Sequence, residues 1–326
     1  MPKNKINIVV IGGGTGTSVV LEGLKKYPVN LSAIITTADD GSSSGKLRRE
    51  FDIIPPGDVR QCLVALASKD FGYLNDRFKQ GSLAGHTLGN LMITLFCEKH
   101  KNFQEAIDDL LRLTGANGSL IPMTLKPVTL VARLKNGKIL KGESKITSSK
   151  EIKEKLHSLY IEPKNIRANP RAVEAINSAD VIVVGPGNLF SSIIPNFLVS
   201  SIRAAFMKSK AKKIYISNLF TQPGHTDNFS IPDFVKILSG FLGEDVFSSI
   251  LYNNKQISGN VIKKYKNSVI SSMAGIPEGL EKDRRYIARP IAKVSPRVIS
   301  SDPMAKMRNP FLHDSKKVAK AIMELV

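Results

Sequence analysis

Five consecutive residues, Gly12-Gly13-Gly14-Thr15-Gly16, follow an apolar run and precede a helical pattern. This arrangement suits a phosphate. A helix N-terminus offers unpaired backbone N–H groups and the positive end of the helix dipole. Glycines let the backbone come close. The spacing reads Gly-x-Gly-x-Gly, short of the full Gly-x-Gly-x-x-Gly dinucleotide fingerprint, and no Lys-Ser/Thr pair follows it. Two readings stand: a phosphate cradle at Gly12, Gly13, Gly14, Thr15 and Gly16, or a tight strand-to-helix turn.

Other polar loops share the pattern. Ala38-Asp39-Asp40-Gly41-Ser42-Ser43-Ser44-Gly45 follows a second apolar run. Adjacent carboxylates beside a phosphate loop repel unless a ribose hydroxyl, a ring N–H or a divalent cation neutralises them. The same residue types also make turns and helix caps. Gly185-Pro186-Gly187-Asn188 and Asn218-Leu219-Phe220-Thr221-Gln222-Pro223-Gly224 close two further runs with neutral donors and acceptors. His86-Thr87-Leu88-Gly89-Asn90 is a fifth candidate, with Asn90 as its ligand-facing residue or His86 as a cap. The remaining histidines, His100, His157, His225 and His313, are dispersed without metal-ligand spacing. No nucleophile–histidine arrangement emerges, so catalytic residues are unassigned.

The elements that must carry these loops alternate. Ile6–Ile11 and Leu31–Thr36 read as buried strands around a helix at 18–26. The cycle resumes with a helix at 173–178, a strand at Val181–Val184, a helix at 193–208, and strands at 214–217 and 247–252. Between them, 58–68, 88–99 and 103–113 read as helices. Residues 128–134 and 138–146 read as strands around the hairpin signal Asn136-Gly137. Ser315–Leu325 reads as a closing amphipathic helix. The fold class is therefore α/β: a Rossmann-like, doubly wound, mostly parallel sheet with an inserted helical and hairpin region. We expect one domain over 1–326, with 55–165 as the insertion and 255–326 as a basic C-terminal extension. In parallel sheets the strand C-termini lie side by side, so the polar loops should share one rim.

Composition narrows the partners. The 326 residues carry a formal net charge of +19. Residues 253–326 hold 15 Lys and Arg against 6 Asp and Glu, without a long basic run. Trp is absent and no aromatic-interleaved basic motif occurs, which argues against nucleic acid and for a phosphate ligand. Cys62 and Cys97 sit in apolar helical stretches and read as core thiols. No apolar stretch is long enough for a membrane span, and the first residues lack a signal-peptide pattern, so the expected compartment is the cytoplasm.

Taken together, Gly12–Gly16, Ala38-Asp39-Asp40, Pro55-Pro56-Gly57-Asp58-Val59-Arg60, His86–Asn90, Gly185-Pro186-Gly187 and Asn218–Gly224 occur in an order that resembles the bacterial gluconeogenesis factors. These form the YvcK-like branch of the CofD-like superfamily. The resemblance runs from about Asn7 to Asn254, with an echo at His313-Asp314. It implies a Rossmann-like fold that binds UDP-sugars such as UDP-N-acetylglucosamine (UDP-GlcNAc), without a required cofactor. It also implies support of cell shape and wall synthesis on gluconeogenic carbon sources. Cell-wall synthesis or regulatory proteins, and further copies of the chain, are the partners in keeping with such a role. The related 2-phospho-L-lactate transferases place a divalent metal, such as Mg²⁺, at the acidic loop matched by Asp39 and Asp40. Beyond Asp40 this chain continues Gly41-Ser42-Ser43-Ser44-Gly45-Lys46-Leu47-Arg48, as the gluconeogenesis factors do. Leu312-His313-Asp314 stands where the family often shows Arg-His-Asp, which makes Arg308 the substitute cation. Tyr265 matches an aromatic suited to stacking on a base. On this reading Gly12–Gly16 hold the diphosphate, and Asp39 or Asp40 takes a hydroxyl or base edge. Asn188, Asn218 and Gln222 line the sugar end, and Gly185 and Gly187 are further ligand-binding residues.

Overall fold

Strands whose residues are buried on both faces need cover on both sides. In β1 (Ile6–Gly12), Ile8 and Val10 pack on one side while Val9 and Ile11 pack on the other. The same division runs through β2 (Val29–Ile35). A computed structural model describes residues 5–256, 274–294 and 311–326. Among them, β3 (Ser119–Pro122), β7 (Val181–Val184), β8 (Lys212–Ile216), β9 (Ser249–Asn253) and β10 (Tyr286–Arg289) join β1 and β2 in one parallel sheet. Its order is β10-β9-β8-β7-β1-β2-β3.

Helices Thr15–Leu24, Gly57–Leu66, Leu88–His100, Phe103–Leu113 and Ser315–Met323 bury Leu21, Leu63, Ile93, Ile107 and Ile322 on one face. Helices Pro170–Asn177, Ser200–Lys208 and Ile231–Leu242 bury Ile176, Phe206 and Phe234 on the other. Each fully buried side chain of this size contributes roughly 1.5–3 kcal/mol of transfer free energy. The doubly wound α/β class expected from the alternating pattern is the observed one.

Local signals explain the helix starts. Asn102 accepts from the N–H groups of Gln104 and Glu105, and the helix begins at Phe103 as read. Ser230 and Asp233 form a reciprocal capping box at a helix the pattern reading passed over, Ile231–Leu242.

Several expectations are corrected. The segment 138–146 is not one strand. It gives a short β5 (Ile139–Lys141), paired with β4 (Thr129–Leu134), and then a helix, Glu143–Ser148. Gly142 between them has φ 105°, which ends the strand, and the Asp40 carboxylate accepts the Ser144 N–H at 2.8 Å to start the helix. β6 (Leu156–Glu162), absent from the pattern reading, completes this three-stranded antiparallel sheet. The helix expected over 193–208 is broken. A π-turn at Leu189–Ile193 leads into Ile194–Leu198, and extended Val199 separates that from Ser200–Lys208, bent by 84°. Within the expected insertion, Ser119–Pro122 is a strand of the main sheet. Near the C-terminus, β11 (Ala292–Val294) pairs with β12 (Phe311–His313). Among the described residues no single helix is long and apolar enough to cross a membrane. The bent pair just described reaches that length and composition only together, and its Phe197, Ile202 and Phe206 are core residues.

Candidate functional site at the topological switch point

From β1 the chain moves outward through β2 to β3, then returns to place β7 on the other side of β1. Ligands of open α/β sheets bind where the order reverses, outside the strand C-termini. Here that crevice lies between Gly12–Gly16 and Gly185–Gly187. The two loops touch: a Cβ on Gly16 would overlap the Pro186 carbonyl. Gly185 has φ 80°, a region that L side chains rarely adopt. Asn196, fully buried, donates to Gly12 O at 3.2 Å and to Ser192 O at 2.9 Å, fixing the π-turn segment against the glycine loop.

The loop divides its own N–H groups. The Gly14 N–H donates to the Asp58 carboxylate. A Cβ on Gly13 would stand 2.8 Å from the Ser192 Cβ. One face of the loop is thus covered by protein. The helix Thr15–Leu24 starts with no side-chain cap and no acidic residue in its first turn. Its first residue, Thr15, is exposed and donates its hydroxyl to Gln61 Oε1 at 2.6 Å. The anion-attracting end of this helix is therefore open on the Thr15–Gly16 side.

Beyond the covered face stands a group of acids. Burial raises the Asp58 carboxyl well above its usual range, with the charges of Asp39 and Glu143 adding to the shift and Arg60 opposing it. Burial also raises Asp39, against hydrogen bonds from the Gly41 N–H and Ser44 and against Arg60, while Asp40 adds to the rise. Glu143 is raised by burial, against hydrogen bonds from Thr147 and Ser191. Asp40 is engaged by the Ser144 N–H. Below them lies a buried polar chain. Arg60 donates to Thr87 Oγ1 at 2.8 Å and to Asn90 Oδ1 at 3.1 Å, Asn90 donates to Ser43 Oγ at 3.0 Å, and Ser43 meets His86 Nδ1 at 3.0 Å. Asn90 is 1% exposed, so it sits beneath the rim as part of this support.

The β7–β8 side is neutral. Asn188 caps the π-turn, accepting from the N–H groups of Phe190 and Ser191 at 3.2 Å, and donates to Gln222 Oε1 at 2.6 Å. Asn218 donates to Gly187 O at 2.9 Å, while its buried Oδ1 has no partner among the described residues. A cavity of about 170 Å³ opens here, lined by Thr15, Gly16, Gly187, Asn218, Phe220 and His313 among others. β12 closes it, with Phe311 packed on Phe220 at 4.4 Å between ring centroids. His313 Nε2 meets Ser217 O at 3.2 Å, and burial lowers its pKa to about 4, so the ring is neutral at pH 7. A larger cavity, about 400 Å³, lies at the opposite end of β7 and β8, beside Asp180, Lys208 and Lys210 and away from all of these loops.

The structure therefore gathers Gly12–Gly16, Asp39, Asp40, Gly185, Gly187, Asn188, Asn218 and Gln222 at one rim, with Asn90 below it. Tyr265 and Arg308 lie outside the described residues. Sequence reasoning assigned no role to Asp58 or Arg60, although both stand in Pro55–Arg60, one of the segments that carried the resemblance. Gln61 and Glu143 had no motif to mark them.

The family model for 2-phospho-L-lactate transferase CofD matches residues 8–289. The Listeria monocytogenes gluconeogenesis factor is 41% identical over 262 residues, covering 78% of this chain and 80% of its own. The chain belongs to the gluconeogenesis factor family. The gluconeogenesis factor of Bacillus subtilis is 34% identical over 326 residues, 99% of this chain and 98% of its own. A crystal structure of a UPF0052 family member from Bacillus halodurans superposes with a TM-score of 0.86 at 34% identity, covering 98% of this chain and 99% of that one. For the gluconeogenesis factor family, the seven-stranded parallel sheet with small antiparallel additions is thus a shared architecture.

Proposed function

We propose that this family member binds a nucleotide sugar of the UDP-GlcNAc type in the switch-point crevice. In this reading it acts as a cytoplasmic factor that supports cell shape and wall synthesis on gluconeogenic carbon. The observation that carries the reading is the uncapped start of the helix Thr15–Leu24, open on the Thr15–Gly16 side and flanked by a neutral amide rim. An anion is stabilised at such a helix end, and hydroxyl-rich groups suit the amides. The diphosphate lies over Thr15–Gly16, and Asn188, Asn218 and Gln222 face the sugar end. Native mass spectrometry of the purified protein tests it: a co-purifying nucleotide sugar is expected, and a protein that neither carries nor takes up one contradicts it.

The second reading, a Mg²⁺-dependent phospho-acyl transferase, draws on the matching family model and on the acids Asp39, Asp58 and Glu143. Their present engagements fit a metal poorly. Asp40 holds Ser144, Asp58 holds the Gly14 N–H and Glu143 holds Thr147. Among the described residues no three His, Cys, Asp or Glu side chains converge as a ligand set. We therefore favour binding without turnover. The basic surplus serves the anionic ligand, so labelled RNA and DNA should bind weakly and release steeply between 50 and 200 mM salt.

A further inference from the structure

The cavity beside Asn218 differs in chemistry from the glycine loop that borders it. Its walls include Val19, Pro186, Leu219, Phe220, Phe311 and Leu312, with no Lys or Arg among the described residues that line it. His313 brings no charge, because burial keeps its ring neutral. The amide of Asn218 is fixed in one sense. Gly187 O can only accept, so Nδ2 must face it, and among the described residues Oδ1 is left as a buried acceptor without a donor. A buried acceptor left unsatisfied is costly, and a phosphate oxygen, itself an acceptor, could only worsen it.

We propose that this cavity is a subsite for one uncharged ring of the ligand, and that Asn218 selects that ring by accepting a hydrogen bond from its N–H or O–H. The inference rests on the nucleotide-sugar reading and adds to it a polarity. The phosphates stay at the helix start, and a neutral, donor-bearing ring enters between Thr15 and His313. A volume of about 170 Å³ holds one ring and not two. The ring is the base, the ribose or the sugar.

Calorimetry with UDP and with UDP-GlcNAc, on the unaltered protein, Asn218→Ala and Leu312→Trp, tests the subsite. Asn218→Ala strands the ligand donor, and Leu312→Trp fills the cavity from another lining residue while leaving Asn218 in place. Each should weaken UDP-GlcNAc binding about tenfold or more. Thermal melting confirms folding, with Leu312→Phe in reserve if the Trp variant melts early. A penalty already present with UDP places the base or ribose in the cavity. A penalty confined to UDP-GlcNAc places the sugar there. Either variant binding UDP-GlcNAc as tightly as the unaltered protein overturns the subsite alone. Absence of binding by the unaltered protein overturns the nucleotide-sugar reading and the subsite with it.

Discussion

The two halves of the rim are built on opposite principles. On the β1–β2 side, Asp39, Asp40, Asp58 and Glu143 are acids whose bonds are already committed inside the protein. On the β7–β8 side the groups are neutral, and among the described residues two buried amide acceptors, Asn218 Oδ1 beside the cavity and Asn196 Oδ1 behind the glycine loop, are unspent. A crowded set of carboxylates repels an anion, whereas an uncommitted amide invites a donor. The contrast teaches that the open end of the helix Thr15–Leu24 is usable by phosphate only from the neutral side.

Acid should break the contrast most strongly. The His313 pKa falls to about 4 from an ordinary 6.5. In that window the unfolded chain binds the proton and the folded one does not, so this group's stability contribution is present above pH 6.5 and lost as pH falls toward 4. The size is on the order of 3 kcal/mol. The acidic half has the opposite sign. Asp39, Asp58 and Glu143 are raised, so the folded state holds their protons more tightly, and their contribution falls as pH rises from the ordinary carboxylate range. Urea unfolding across pH 4–7 should show His313→Gln losing an upward slope and Asp58→Asn losing a downward one. Equal profiles for the two variants would erase the distinction between the halves.

Charge at Asp58 gives the next effect. Its carboxylate occupies the Gly14 N–H beside the proposed diphosphate. At a pH high enough to ionise this raised acid, Asp58→Asn keeps the shape and removes the repulsion, and UDP-GlcNAc should bind about tenfold more tightly, in line with a charge–charge term of roughly 1–4 kcal/mol near a protein surface. Weaker binding by this variant would mean that the acid contacts ligand or metal directly.

How much of this was legible beforehand depended on the signal. Strand-ending glycines at Gly12 and Gly185, with alternation of apolar runs, made the parallel sheet and its shared rim readable. Lys138–Ile146 misled because an apolar pair before Gly142 looks like a continuing strand. What turns it into a helix is Asp40, over a hundred residues away. Ser119–Pro122 is too short for periodicity to separate it from a loop, and only its pairing with β2 makes it a strand. The same limit hid the site's balance of charge. Asp58 reads as a first-turn helix acid, a common position, and its contact with Gly14 is tertiary.

On the neutral side, Asn188→Ala should cost about 1 kcal/mol of stability by freeing the Phe190 and Ser191 N–H groups, read as a lowered melting temperature. An unchanged melting temperature would assign Asn188 to the ligand alone. The smallest effect expected is that of Mg²⁺. Because the acids are internally engaged, adding it should change UDP-GlcNAc affinity by less than about twofold, and a large tightening would favour the transferase reading.

The central claim is that the open helix start seats the diphosphate, and Thr15→Glu tests it most directly. Thr15 is exposed at the first helical position. A carboxylate there suits the helix dipole by about 0.3–1 kcal/mol, so folding should survive, yet it stands where the phosphate must lie. Calorimetry of UDP-GlcNAc against the unaltered protein and Thr15→Glu, with melting curves for both, is the measurement. We predict a folded variant whose binding is lost. A folded variant that binds as tightly as the unaltered protein would contradict the account.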